Sequence, residues 1–298
     1  MGTRVQLHRN RLAITGATVI VLWLAGSGAA QAPQPPAPRP DLVKVRDDVY
    51  VMQNVNHVVA EIGQNGGNAT VLLTNDGVVL VDTKNERMHD DLVARVKSLT
   101  DRPIRYAVLT HNHADHSGGA ARLQADGVAI IASVGTRENM LRANQPGAPQ
   151  VAYAGYSQVV LGGKEVQLRE FRGHTRGDTV VLIPSARVVV AGDLVATPDT
   201  IPPIVNYGDG GSWTDLGRTL DEVATLDFDT VIGGHGPVLT RAEFLTYRDK
   251  IAAIRERVRV LNRERKTQDE IAQTLVREFN WGSGPAAGNL AGMLQELR

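Results

Sequence analysis

The chain predicts an α+β fold of the αββα sandwich type, with two mixed β-sheets packed face to face and helices outside. Three observations predict it. Two strand-rich stretches follow one another, each interleaved with its own helical segment. The strand runs are short, rich in valine and leucine, and end near glycine, aspartate or asparagine. After Leu239 the pattern turns helical. With 298 residues, 42% hydrophobic and 21% charged, the chain holds enough apolar material for one large core or two modest ones.

The elements follow in order. Arg4, Arg9 and Arg11 precede an apolar run over 12–24 and small residues at 26–30, the pattern of a secretory signal cleaved after Ala30. Thr15, Gly16 and Thr18 interrupt the run, and it is shorter than the roughly 20 residues of a bilayer span. No membrane anchor is therefore expected after cleavage, and the mature chain is expected to be periplasmic or secreted. Asn10 separates Arg9 from Arg11, which favours the general secretion route. Residues 31–40 carry five prolines and read as an extended linker.

The folded domain is expected over 41–240. Strand runs at 69–73, 78–81 and 106–109 flank a helix at 87–99, with Leu92, Val93, Val96 and Leu99 on one face. A second set at 165–171, 179–183, 188–190 and 230–232 encloses a helix at 213–226. In the helical extension, 241–298, Phe244, Ile251, Ile254, Val258 and Leu261 form one stripe with arginines opposite. Thr267 and Glu270 form a capping box that starts another helix. The basic cluster at 255–266 reads as a solvated helix face.

Composition removes several function classes. The formal charge is zero and the basic residues are dispersed, so no nucleic-acid partner is expected. The absence of cysteine excludes disulfides, a thiolate nucleophile and thiolate ligands. A metal must be held by nitrogen and oxygen.

Five of the eight histidines fall in three short segments, each just past a strand. His111 and His113 follow a strand as i and i+2, so in extended chain both imidazoles point to one side and meet one ion. Asp115 and His116 come as the chain turns into a helix near Ser117, which aims them at a neighbouring point. Two adjacent ions are implied. Gly118 and Gly119 let the backbone turn closely there. Two tetrahedral sites need further donors. His174 in Gly173-His174-Thr175, Asp193 in Gly192-Asp193 and His235 in Gly234-His235 supply them, each at a strand end beside glycine.

The H-x-H-x-D-H run over 111–116, followed in order by the G-H-T, G-D and G-H segments, resembles the metallo-β-lactamase-like superfamily over about residues 41–240. Val81-Asp82-Thr83 resembles its first motif, whose aspartate braces the metal loop from behind. The resemblance implies a first zinc on His111, His113 and His174, a second on Asp115, His116 and His235, and Asp193 bridging. Two Zn2+ are the expected cofactors; imidazole and carboxylate donors also suit iron or manganese.

Two divalent ions bring four positive charges, of which Asp115, Asp193 and a bridging hydroxide remove three. The remaining charge favours attack of the hydroxide on an acyl carbon, with Asp115 moving the proton. β-Lactamases of the superfamily usually carry cysteine or serine in place of Asp193. An aspartate there resembles glyoxalase II-type thioesterases and lactonases, although the tail after Leu239 is shorter than the substrate domain of glyoxalase II. The expected function is an exported zinc hydrolase acting on a small-molecule ester, lactone or thioester. The alternatives are a β-lactam hydrolase and a mononuclear-iron sulfur dioxygenase.

Substrate contacts are expected from loops over the metals. Residues 201–213 read as a mobile rim offering Asn206, Tyr207 and Trp213. His57, in an early strand or hairpin at 54–58, could approach the mouth, and 63–68 reads as a flexible hairpin tip. His89 beside Asp90 reads as the exposed side of a helix.

Overall fold

Residues 40–53, 63–196, 204–282 and 285–297 are described by a computed structural model of the chain. The signal and nearly all of the linker expected at 1–40, and His57, lie outside these residues.

The first sheet runs in spatial order β1 (Asp41–Arg46), β2 (Val49–Gln53), β3 (Ala69–Thr74), β4 (Gly77–Val81), β5 (Ile104–Val108), β6 (Ala129–Ser133) and β7 (Val151–Tyr153). Its first three pairings are antiparallel and its last three parallel. The parallel half needs crossovers, supplied by α1 (His89–Leu99), the short α2 (Ala114–Ser117) with α3 (Ala120–Ala125), and α4 (Val134–Arg142). The second sheet holds β8 (Tyr156–Leu161), β9 (Lys164–Phe171), β10 (Asp178–Ile183), β11 (Val188–Gly192), β12 (Thr230–Gly233) and β13 (Leu239–Thr240). Within this second sheet only β11 and β12 pair in parallel among the described strands, joined through α5 (Trp213–Ala224). Three helices close the chain: α6 (Arg241–Arg263), α7 (Gln268–Phe279) and α8 (Pro285–Glu296).

Side-chain alternation builds the layers. On β4, Val79 and Val81 join the core between the sheets with Val108, Val181 and Ile232. Val78 and Leu80 face the other way, onto Leu92, Val96 and Leu123 of the helices. On β10, Val181 and Ile183 face the first sheet, whereas Val180 and Leu182 join Trp213, Phe244, Ile254 and Leu275. Strands buried on both faces lose the polar alternation of a half-exposed sheet, which explains the continuous valine runs. The αββα sandwich is the architecture. The extension packs into the core cluster that also takes side chains from β10, β11 and β12. Thr267 and Glu270 form the capping box, and a second one, Thr240 with Glu243, starts α6.

His89 departs from expectation. It is 5% exposed, and its Nε2 lies 3.0 Å from Asp126 at the end of α3. The 63–68 segment departs further: Asn65 to Asn68 are buried, and Gly67 N and Asn68 N donate to Asp115 O (2.8 Å) and Gly234 O (2.7 Å). It is a strap threaded between two loops of the site.

Candidate metal centre

The loops that leave β4, β5, β9, β11 and β12 converge at one edge of the sandwich, and each brings one part of the histidine and aspartate set. The chain leaves β4 with Asp82 in the left-handed region (φ 66) and leaves β5 into the 111–116 run. Helix α2 starts at Ala114, earlier than Ser117, so Asp115 and His116 sit inside its single turn. Each residue of a helix rotates by about 100°, which separates their direction from that of His113. Gly118 and Gly119 keep ordinary negative φ; close approach is what they permit, since a Cβ would lie 2.4 Å from Ala114 O and 2.5 Å from Thr83 O respectively.

Two donor groups result. One atom from each of His111, His113, His174 and Asp193 lies within 4.8 Å of the others, and the same holds for Asp115, His116 and His235. Asp193 faces both. Its Oδ2 is 3.9 Å from His111 Nε2 and 3.6 Å from His174 Nε2, while its Oδ1 is 3.2 Å from His116 Nε2 and 3.5 Å from His235 Nε2. Asp115 Oδ2 stands 3.4 Å from His116 Nε2 and 3.2 Å from His235 Nε2.

The rear nitrogens of four rings are held, which sets the tautomer of each. Asp82 Oδ1 accepts from Thr110 N (2.7 Å), and its Oδ2 accepts from His116 Nδ1 (2.9 Å) and Thr110 Oγ1 (2.8 Å). Because Thr110 Oγ1 spends its proton on Asp82, it accepts from His111 Nδ1 (3.0 Å). One carboxylate thereby orients a ring in each group. His174 Nδ1 donates to Ile204 O. His113 Nε2 donates to Asp209 Oδ2 (3.1 Å), an oxygen that also accepts from Asn112 Nδ2 and Asn206 Nδ2 (3.0 Å each). The lone pairs left over, on His111 Nε2, His113 Nδ1, His116 Nε2 and His174 Nε2, all face the centre.

These residues fit metal ions. His174 Nε2 and His113 Nδ1 approach to 2.9 Å, and His116 Nε2 and His235 Nε2 to 3.2 Å. In the first pair, where both rings turn a lone pair inward, such a distance is repulsive unless a cation lies between them; in the second a proton fills the gap in the metal-free chain. His111 Nε2 is buried with no hydrogen-bond partner, an orphan that a ligated ion would satisfy. Burial holds His111 well below the ordinary imidazole range, and it takes His174 down to about 4. Both present free lone pairs at neutral pH. Burial also opposes charge on His116 and His235, but Asp115 and Asp193 outweigh it and raise both. For Asp193 burial favours the neutral acid, yet His235 and His116 outweigh it and keep the carboxylate ionised. The second group thus holds protons where a cation would sit.

A family model of the metallo-β-lactamase superfamily matches residues 62–235, more than half of the chain. The chain belongs to the metallo-β-lactamase superfamily. Among curated superfamily proteins it is 26% identical over 183 residues to the metallo-β-lactamase type 2 of Bacillus cereus, covering 60% of this chain and 70% of that protein. It is 25% identical over 186 residues to that of Elizabethkingia meningoseptica, covering 62% and 72%. The solved metallo-β-lactamase from Pontibacter korlensis superposes with a TM-score of 0.64 at 20% identity, over 72% of this chain and 99% of that one. That likeness shows a shared fold. This superfamily hydrolase carries the full set of seven donors anticipated from its motifs, gathered at one edge.

The expected rim contacts are placed differently. Trp213 is fully buried and stacks on Trp281 with ring centroids 5.9 Å apart. Tyr207 lies against Gly292 of α8, with its hydroxyl buried. Asn206 accepts from Asp209 N (3.1 Å) and donates to its carboxylate, and its Nδ2 also lies 2.8 Å from His113 Nε2, so it braces a site histidine from behind. The described part of the expected mobile loop is tied to the His174 segment through Asn206 N to His174 O (2.8 Å), Arg176 N to Asp209 O (3.0 Å) and Ser212 N to Gly173 O (2.8 Å). Asp209 escaped sequence reasoning. Arg142 Nη2 donates to its Oδ1 (3.0 Å) and Asn139 Nδ2 to its backbone O (3.1 Å), yet an aspartate among glycines reads as an ordinary loop.

Proposed function

We propose that this chain is an exported dinuclear zinc hydrolase that cleaves the acyl bond of a small ester, lactone or thioester. The observation that carries the reading is the two-faced Asp193, with one oxygen turned to each group of imidazoles. His111, His113 and His174 would hold one ion, Asp115, His116 and His235 the other, with Asp193 between them. Such ions would lower the pKa of a shared water and polarise a carbonyl oxygen as Lewis acids.

The chain's own residues do the rest. Asp82, Asp209, Thr110 and the Ile204 carbonyl keep four rings in the tautomer that offers a lone pair to the centre. Asp115, with a side chain 22% exposed, is the carboxylate of the second group that opens most to solvent. Burial favours its neutral form, but His116 outweighs this and lowers its pKa, so it stands ionised and placed to accept a proton from the nucleophile and pass it to the leaving group.

Export is supported by the composition of residues 1–30, and no described helix is long and apolar enough to cross a membrane. A second reading, β-lactam hydrolysis, is favoured by the names of the two curated relatives. Metal analysis of the purified mature protein, coupled to hydrolysis of a lactone, an ester, a thioester, a penicillin, a cephalosporin and a carbapenem, separates them. About two zinc ions per chain with esters or lactones preferred supports the proposal. A β-lactam preferred by more than about 100-fold, equivalent to about 2.7 kcal/mol, replaces it with the second reading. A single iron with no zinc points to the dioxygenase chemistry.

A further inference from the structure

Lys84 has no part in that chemistry, and its surroundings make it costly. It is fully buried, and the carboxylates that act on it electrostatically, Asp91, Asp82 and Asp115, form no described salt bridge with it. Its Nζ donates to two backbone carbonyls, Gly67 O and Met52 O (3.3 Å). Burial draws its pKa down to about 7. Its backbone is left-handed (φ 59), two residues after the equally left-handed Asp82. A sequence that keeps a buried amine on a strained backbone bears a cost that must be offset by what the amine holds.

What it holds is the 66–68 strap. Gly67 N donates to Asp115 O (2.8 Å), and Asn68 N to Gly234 O (2.7 Å). Asn68 Nδ2 donates to Gly233 O (2.9 Å) and Gly236 O (3.0 Å). Gly67 lies flat on the His116 imidazole, where a Cβ would stand 2.2 Å from Cε1 and 2.8 Å from Gly234 O. The strap therefore joins the loop of Asp115 and His116 to the loop of His235, and the lysine ties it from beneath.

We propose that Lys84 is a positioning residue of the second donor group, holding the 66–68 strap so that Asp115, His116 and His235 keep their mutual spacing. The consequence is selective: loosening the strap disturbs the second group and leaves His111, His113 and His174 to their own supports. This inference rests on reading the group as a metal site.

The test is Lys84→Met, an unbranched side chain one atom shorter that fills most of the same space but has no donors. Cobalt titration of the metal-free full chain should show second-site affinity reduced by about 10–100-fold, with first-site affinity and its absorption bands unchanged. Amide exchange at Gly67 and Asn68 should accelerate in the metal-free variant. Equal weakening of both sites in a folded variant, or no change at either, overturns the proposal. If Lys84→Met does not fold, Asn68→Ala decides, since it frees the strap from Gly233 and Gly236 with Lys84 in place. The same selective loss supports the strap, and equal or no loss overturns it. A wild-type chain that binds no metal sinks the metal reading instead. The strap is then judged by exchange at Gly67 and Asn68, where protection unchanged in Lys84→Met contradicts it.

Discussion

The two donor groups of this site are built differently. The first is three imidazoles and one face of Asp193, with burial keeping His111 and His174 unprotonated. The second is two imidazoles, Asp115 and the other face of Asp193, and its carboxylates hold protons on His116 and His235. Neighbouring donor groups on one edge therefore need not share an electrostatic character: in one burial excludes the proton, in the other carboxylates attract it. Their supports differ as well. Asp82 reaches a ring in each group, whereas Asp209 reaches only His113 among the five histidines.

The largest effect is expected from removing a ligand. His113→Ala should abolish first-site binding and lower kcat/KM by more than ~100-fold, because the ligands themselves matter more than the 10–100-fold typical of their supports. Unchanged metal content with retained activity would remove His113 from the set. Next comes the shared support: Asp82→Ala should weaken both sites by about 10–100-fold each, measured by competitive metal titration. Loss confined to one site would mean that the Thr110 relay to His111 carries nothing.

How much of this was legible depended on the kind of signal. Ligand residues announce themselves because no packing requirement crowds three imidazoles and a carboxylate into His111–His116, and the strand-end glycines marked the remaining donors. The layered fold was legible for a related reason, since β4 and β10 are buried on both faces and show it as runs of valine, leucine and isoleucine without polar alternation. Of the supports, Asp82 was legible through its motif and the others were not. Asp209 and Lys84 act through bonds that span 96 and 17 residues, and neither carries a local pattern. Trp213 and Tyr207 misled because an aromatic in a glycine-rich loop looks the same whether it faces solvent or the Trp281 and Gly292 side of the chain. His89 misled for a similar reason, its partner Asp126 lying on another element.

Smaller effects sharpen the comparison. Asp209→Ala should weaken the first site alone, again by about 10–100-fold, and leave the second intact. An equal loss at both sites would show that the groups are coupled through more than Asp193. Acid should separate the groups in the opposite sense. His116 and His235 have raised proton affinity, so as pH falls from 7 to 5 protons compete for the second site first. His174, at about 4, and His111 stay unprotonated over that range, so the first site is expected to lose its ion less readily than the second. Metal retention measured after dialysis at each pH checks this, and simultaneous loss of both ions would contradict it. The smallest effect is expected from Tyr207→Phe. Its buried hydroxyl has no hydrogen-bond partner among the described atoms, so KM should change by less than about 2-fold and stability little. A larger rise in KM would return Tyr207 to the substrate surface.

In the proposed function, seven side chains make two adjacent cation sites joined by Asp193. Anomalous diffraction from zinc-loaded crystals of the mature protein tests it most directly. Two peaks per chain are expected, one among His111, His113 and His174, the other among Asp115, His116 and His235, with Asp193 touching both. A single peak at full zinc loading, or two peaks of which Asp193 touches only one, would contradict it.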